Sequence, residues 1–162
     1  MWAFFFTALL VVVADQLSKL WIRSNLLEGQ SLFEAGIFRI IRVQNTGAAF
    51  GLFQGQSFIL TIIAFVGVVV LLLYVRLFNR SSSLLGNMLG RIAIGLVLGG
   101  AIGNLIDRLR YLLHQVGGVT DFISIGWWPA FNVADSATVV GVILFAYSLL
   151  RLARSGEHDL ST

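Results

Sequence analysis

Asp121 and Asp135 are the residues of this 162-residue chain whose setting best suits chemistry. Neither has a basic residue within four positions; Thr120 and Phe122 flank the first, and the second lies in an apolar run opening at Phe131. Two carboxylates delivered from separate segments to one apolar site share a proton, because like charges close together cannot both ionise. Such a pair suits aspartyl hydrolysis: one carboxylate takes a proton from water while the other, protonated, polarises the scissile carbonyl. Asp15 and Lys19, one helical turn apart, fit either an i,i+4 ion pair or a place in the same polar site. Asp107 and Arg108 are adjacent, so they point to different faces and suit bridging to other helices. With no Cys, thiolate nucleophiles, disulfides and Cys-ligated zinc are excluded. Only His114 and His158 offer imidazoles, so no metal centre is expected, and His114 reads as a solvated or interfacial side chain.

The elements that must position these residues are membrane helices. Hydrophobic side chains make up 57% of the chain and charged ones 12%, with a mean hydropathy of +0.88, whereas soluble domains carry about 25% charged residues. At ~20 apolar residues per crossing, the length suits one membrane-embedded unit spanning 1–162, with helices at about 1–22, 58–78, 88–109 and 131–152. The first fourteen residues carry no charge and resemble a secretory signal with Ala14 at a cleavage position. The lack of a leading Lys or Arg and the helical recurrence of Leu17, Leu20, Trp21 and Ile22 favour a spanning helix instead. Between the first two helices, Gly29 and Gly36 break the pattern and Phe38–Val43 is β-branched-rich, which predicts a short interfacial sheet. The segment 111–130 is expected to be a loop, with Trp127-Trp128 as an interfacial anchor and Pro129 as a helix start. Gly95, Gly99 and Gly103 form a stripe for close helix approach, and Ser81–Ser83 a short turn.

Successive spans alternate direction, so the end of the first, the start of the second, the end of the third and the start of the fourth share one membrane side. Asp15, Lys19, Asn45–Phe50, Asn104, Asp107, Arg108, Asp121, Asn132 and Asp135 all fall there. An ionisable group at membrane depth costs about 2.5–3.5 kcal/mol on insertion scales, which makes such a gathering functional by default. The net charge of +3 and pI near 10.0 come from 11 basic residues scattered along the chain, which suits lipid anchoring and not nucleic acid. Six lie on the polar side (Lys19, Arg23, Arg39, Arg42, Arg108, Arg110) and five on the other, so the positive-inside rule leaves orientation undecided. A proton-coupled exporter is an alternative, although it calls for an acid mid-helix; a non-catalytic assembly subunit is another, although it leaves Asp121 and Asp135 without a purpose.

Five blocks, Asp15–Lys19, Asn45–Phe50, Gly103–Arg108, Val119–Phe122 and Phe131–Asp135, resemble in order and on one membrane face the sequence blocks of the bacterial lipoprotein signal peptidases (signal peptidase II). The resemblance implies an aspartyl endopeptidase of the inner membrane that removes signal peptides from diacylglyceryl-modified prolipoproteins, cutting before the lipidated Cys. It implies Asp121 and Asp135 as the catalytic pair, with Asp15, Lys19, Asn45, Gly47, Asn104, Asp107, Arg108 and Asn132 in supporting roles. The implied fold is an all-α integral membrane protein of four transmembrane helices, with a small extracytoplasmic β-cradle between the first and second. Both termini are then cytoplasmic and the site extracytoplasmic. The implied partners are lipidated prolipoproteins and membrane lipid, with no nucleic acid, no metal or other cofactor, and a monomeric state. One departure is the thirteen-residue stretch between the two acids, which holds Trp127-Trp128-Pro129 and puts the shape of that loop in question.

Overall fold

The structure, a computed structural model, describes residues 1–47, 52–78, 83–114 and 117–159. Along the chain these form α1 (Trp2–Asn25), β1 (Ser31–Ala35), β2 (Phe38–Asn45), α2 (Ser57–Phe78), the one-turn α3 (Ser83–Gly86), α4 (Met88–His114), β3 (Val119–Ile125), β4 (Trp128–Phe131) and α5 (Val133–Asp159). Helices α1, α2, α4 and α5 are long and apolar enough to cross a membrane. Ser81 and Ser82, read from sequence as part of a turn, lie outside the described residues.

Helix α4 is the hub, lying against α1, α2 and α5. Glycine makes this possible. A Cβ at Gly95 would come within 2.8 Å of the Phe4 carbonyl oxygen, and one at Gly99 within 2.7 Å of Val11 Cβ, so the stripe seats α1. A Cβ at Gly100 would collide with Thr138 and Ala134 of α5, and Gly141 of α5 answers it from the other side. Phe4, Ala8, Leu85, Ile94, Leu98 and Leu105 fill the core beside these contacts. Outward, the spans present apolar side chains such as Phe6, Leu9, Ile62, Ile63, Val70 and Ile143, each at least 45% exposed. Helices this apolar on their outer faces suit lipid as the surrounding solvent. The helices overrun the sequence boundaries: α1 to Asn25, α4 to His114 and α5 to Asp159. Their charged ends continue the helical turns, so polarity does not mark where they stop.

The sheet corrects the sequence reading. Its four antiparallel strands run in the order β1-β2-β3-β4, so half of it comes from the segment between α4 and α5 that was expected to be loop. The fold is therefore helices plus a sheet, and not all-α. Val119–Ile125 is mostly β-branched or aromatic and largely buried, and it finds its partner in β2, with Val43 opposite Asp121 and Phe38 opposite Ile125. Both hairpins turn on two residues, Gly36-Ile37 and Gly126-Trp127, with the Gly first at φ +59° and +54°, the place where tight hairpins favour glycine. Pro129 lies in β4 and not at a helix start. β4 is an edge strand, where a residue without an N–H is tolerated. The sheet is pinned to α1 by Ile22, Leu26 and Phe122, with Ile40, Ile123 and Val133 around them. Arg42 Nη1 also donates to the carbonyls of Arg23 (3.2 Å) and Leu26 (2.7 Å), which closes the end of α1.

Candidate active site

Asp15, Lys19 and Arg23 recur every four residues and so share one face of α1, turned toward α4. Lys19 Nζ lies 2.8 Å from Asp15 Oδ2 and 3.0 Å from Asp107 Oδ2, and all three side chains are essentially without solvent exposure. Arg23 Nη1 reaches Asp107 Oδ1 at 3.0 Å and donates to Thr120 Oγ1 at 3.2 Å. Asp107 Oδ2 accepts the Thr120 N–H as well, so this acid joins α1, α4 and β3. Asp15 Oδ1 accepts the Ala134 N–H at 3.0 Å and thereby holds the first turn of α5. Each charge is matched inside the set, which is the condition for keeping charges out of water.

Three asparagines carry this order to the two acids, and each can face only one way. Lys19 has donors only, so it fixes Asn104 with Oδ1 toward the ammonium at 2.9 Å. Asn104 Nδ2 is then free to donate to Asp135 Oδ1 at 2.8 Å. Asn132 is the N-cap of α5: its Oδ1 accepts the Asp135 N–H, while Asp135 Oδ2 accepts the Asn132 N–H. This reciprocal arrangement is a capping box in which Asp takes the usual Glu position. It leaves Asn132 Nδ2 to donate to Asp121 Oδ1 at 2.7 Å and to Asn104 Oδ1 at 3.1 Å. Asn45 Oδ1 accepts the Gly47 N–H, so its Nδ2 donates to Asp121 Oδ2 at 3.1 Å. Both oxygens of each acid thus accept a hydrogen bond.

Asp121 and Asp135 line one cavity of about 480 Å³ with Asn45, Asn104 and Arg108. Its remaining walls are apolar apart from Thr138 and come from α2 (Leu60, Ile63), α4 (Val97, Ala101), β4 (Trp128, Phe131) and α5 (Val139). Burial first, then the charge of Asp135, pushes the Asp121 carboxyl up from 3.8 to about 7, against the opposing pull of the Asn45 and Asn132 amides and of Lys19. Arg108 Nη2 donates to the Gly47 carbonyl at 3.1 Å, while its Nη1 is buried with no hydrogen-bond partner among the described residues. Gly47 admits no side chain, since a Cβ there would come within 2.7 Å of the Leu52 carbonyl oxygen.

The residues singled out from sequence fall into two groups. Asn45, Asn104, Arg108, Asp121 and Asp135 meet at the cavity, and Asn132 touches both acids. Asp15, Lys19 and Asp107 lie behind them between α1 and α4, and Gly47 supports Asn45 and Arg108 through its backbone. Ala48–Phe50 lie outside the described residues, and His114 is exposed at the end of α4. Sequence reasoning missed Arg23, Gln16 and Thr120 as members of the network; Gln16 Nε2 donates to Asp15 Oδ2 and to the Gly103 carbonyl. The four-residue recurrence of Asp15, Lys19 and Arg23 was the available signal for Arg23.

Together these features define a polytopic membrane protein with a carboxylate pair at the wall of a largely apolar cavity. Residues 7–151 match the family model for signal peptidase (SPase) II. A lipoprotein signal peptidase of Syntrophomonas wolfei is 44% identical over 153 residues, covering 93% of this chain and 95% of its own length. One from Moorella thermoacetica is 43% identical, covering 91% and 92%. A bacterial membrane enzyme solved in meso at 2.3 Å superposes with a TM-score of 0.76 at 32% identity, covering 90% of this chain and 86% of that one. The chain belongs to the signal peptidase II family and is accordingly a membrane peptidase.

Proposed function

We propose that this chain hydrolyses the signal peptide from lipid-modified prolipoproteins, cutting before the lipidated Cys, with Asp121 and Asp135 as the catalytic dyad. The observation that carries the assignment is Asn132, which bonds both acids at once while the two share a cavity wall. Burial and then the Asp135 charge raise the Asp121 carboxyl to about 7, so near neutrality this acid keeps a substantial protonated share and serves as the proton donor. Asp135 takes a proton from the attacking water as the oxygen adds to the scissile carbonyl, and Asp121 gives its proton to the carbonyl oxygen. Collapse of the tetrahedral intermediate breaks the C–N bond, and a proton passed back through the dyad leaves with the amine. The apolar walls keep the site dry enough for these transfers. Acyl chains of the substrate stay in lipid while the peptide bond reaches the dyad, because the acids sit at one end of the helices.

The site faces the extracytoplasmic side of the bacterial inner membrane, with both termini cytoplasmic, and the chain acts as a monomer in one domain. Helix parity supports placing both termini on the side opposite the sheet, since the end of α1, the end of α4 and the start of α5 all abut it; which side is cytoplasmic is taken from the resemblance to the family. In intact cells an impermeant thiol reagent should label Gln56→Cys and spare Gly86→Cys; the reverse pattern overturns the orientation. The dyad is tested by cleavage of a lipidated precursor by purified Asp121→Asn, Asp135→Asn and the double variant. Each should lose turnover, and the double should be hardly worse than either single, since residues acting as a unit are not additive. Near wild-type turnover by either single variant ends the assignment.

A further inference from the structure

The two outer strands of the sheet differ in what they border. β1 lies on one side, away from the cavity; β4 lies on the other, and Trp128, Pro129, Ala130 and Phe131 all line the cavity together with both acids. Among the described residues β4 pairs with β3 alone, Trp128 opposite Ile125 and Phe131 opposite Ile123. There β4 stops. Two residues back along β3 stands Asp121, flanked on the β2 side by Val43, and the chain leaving β4 turns into Asn132, which bonds both acids. The dyad therefore stands in a notch at the end of an open strand edge. Such an edge is a row of main-chain donors and acceptors ready to pair with another chain, and proteins commonly blunt it with charge, proline or a covering element. β4 carries no charged residue, and its one proline takes away a single donor while keeping its carbonyl.

We propose that the open edge of β4 is a substrate subsite, on which the stretch of precursor that follows the cut lies extended and antiparallel to β4, as one more strand of the sheet. The inference rests on the proposed function and adds the manner of binding. A peptide bond inside a helix has its carbonyl oxygen engaged by the N–H four residues on, so the segment presented to the dyad has to be unwound. Unwound backbone in a largely apolar cavity needs partners for its polar groups, and the β4 edge supplies them. Direction follows from the layout. β4 runs toward the helices and into α5, whereas the precursor keeps its signal stretch among the helices and sends the rest of its chain toward the sheet. A chain rising in that sense meets the notch first and the edge second, so the scissile bond falls beside Asp121 and the lipidated Cys opens the paired stretch. Pairing through the main chain asks little of side chains, so one edge can hold precursors whose sequences differ after the Cys.

The deciding test alters the substrate and leaves the enzyme untouched, so folding does not enter. In a series of lipidated precursor peptides, the amide bonds after the lipidated Cys are replaced one at a time by esters, which removes an N–H without adding bulk. Along a strand only every second residue turns its N–H to a given neighbour. kcat/KM should therefore fall roughly two- to tenfold, the worth of one hydrogen bond, at every second bond and hardly change between. The pattern should fade beyond the 4 residues that β4 offers. A second measurement locates the strand: the chain has no Cys of its own, so Ala130→Cys in the Asp121→Asn background should form a disulfide with a precursor carrying one added Cys, best at alternate positions after the lipidated one. Ester sensitivity without alternation, or cross-linking equal at all positions, overturns the proposal. Failure of the wild type to cleave the unmodified lipidated peptide overturns the proposed function instead, and the subsite with it.

Discussion

Asp121→Asn separates chemistry from stability, and the site sets the size of the second effect. In the folded chain the Asp121 carboxyl titrates at about 7 in place of 3.8, because burial and then the Asp135 charge oppose its ionised form. The folded state thus holds this proton more tightly than the unfolded state, so stability falls as pH rises between those two values and levels off above about 7. At ~1.4 kcal/mol per pH unit, the fall from about pH 5 to about pH 7 is roughly 3 kcal/mol. Asparagine does not titrate, so the variant lacks this slope. Its amide nitrogen cannot accept, so it loses one of the two hydrogen bonds donated by Asn45 and Asn132, at about 1–3 kcal/mol and independently of pH.

The variant should therefore gain on the wild type by roughly 3 kcal/mol between about pH 5 and pH 8, which at ~2–4 °C per kcal/mol for a chain of this size is on the order of 10 °C in Tm. Thermal unfolding in detergent, followed by Trp emission at several pH values, measures the difference, and the remaining carboxylates largely cancel because both proteins carry them. Cleavage of lipidated precursor by the same samples should be abolished at every pH. Two parallel Tm profiles would refute the electrostatic account of Asp121, whatever the activity.

Other outcomes follow from the same contacts. Lys19→Ala leaves the Asp15 and Asp107 carboxylates buried without their ammonium, at a cost on the order of 3–5 kcal/mol; yield of folded protein by size-exclusion chromatography should drop together with activity, and normal yield with lost turnover would mark Lys19 as chemical. Gly103→Ala places a Cβ 2.6 Å from Asp15 Oδ2 and should lower stability by about 1–3 kcal/mol, whereas Gly67→Ala, with nothing within 4 Å of the new Cβ, should gain up to about 1 kcal/mol from helix propensity; Tm values ordered the other way would contradict the packing described for α4. Acyl chains contribute about 0.8 kcal/mol per buried CH₂, so unlipidated precursor should be a poor substrate, and equal cleavage of both forms on a gel would remove lipid recognition from the mechanism.

Legibility in the sequence followed the strength of the physical signal. The spans were readable because an unbroken apolar run has few alternatives, and the stripe of Gly95, Gly99 and Gly103 pointed to a close helix approach, though not to α1 as the partner, because only glycine allows it. Half of the sheet was not readable. Val119–Ile125 carries β-rich side chains, but a strand buried on both faces lacks the alternation that marks a half-exposed one, and its partner β2 lies more than seventy residues earlier. Pro129 misled because proline serves helix starts and edge strands alike. The polar residues of the site could be gathered on one membrane side by parity alone. Their division into a cavity group and a supporting group was legible only in part: Lys19 one turn from Asp15 sets that acid apart from Asp121 and Asp135, which have no basic neighbour, whereas nothing in the local pattern separates Arg108, at the cavity, from Asp107, behind it.

The separation of those two groups follows from donor and acceptor direction. Asn104, Asn132 and Asn45 can each donate to an acid because a fixed donor occupies the carbonyl side of every amide: an ammonium, the Asp135 N–H and the Gly47 N–H respectively. Remove any of those donors and the amide can turn its oxygen toward a carboxylate, which repels it. The Asp15–Lys19–Asp107 set stands behind the cavity, yet through Asn104 it decides which end of an amide faces Asp135. Buried charge of this kind contributes little net stability compared with apolar packing. Its effect here is to leave each dyad acid with one arrangement of partners, so that both carboxylates meet the cavity in a fixed orientation before substrate arrives.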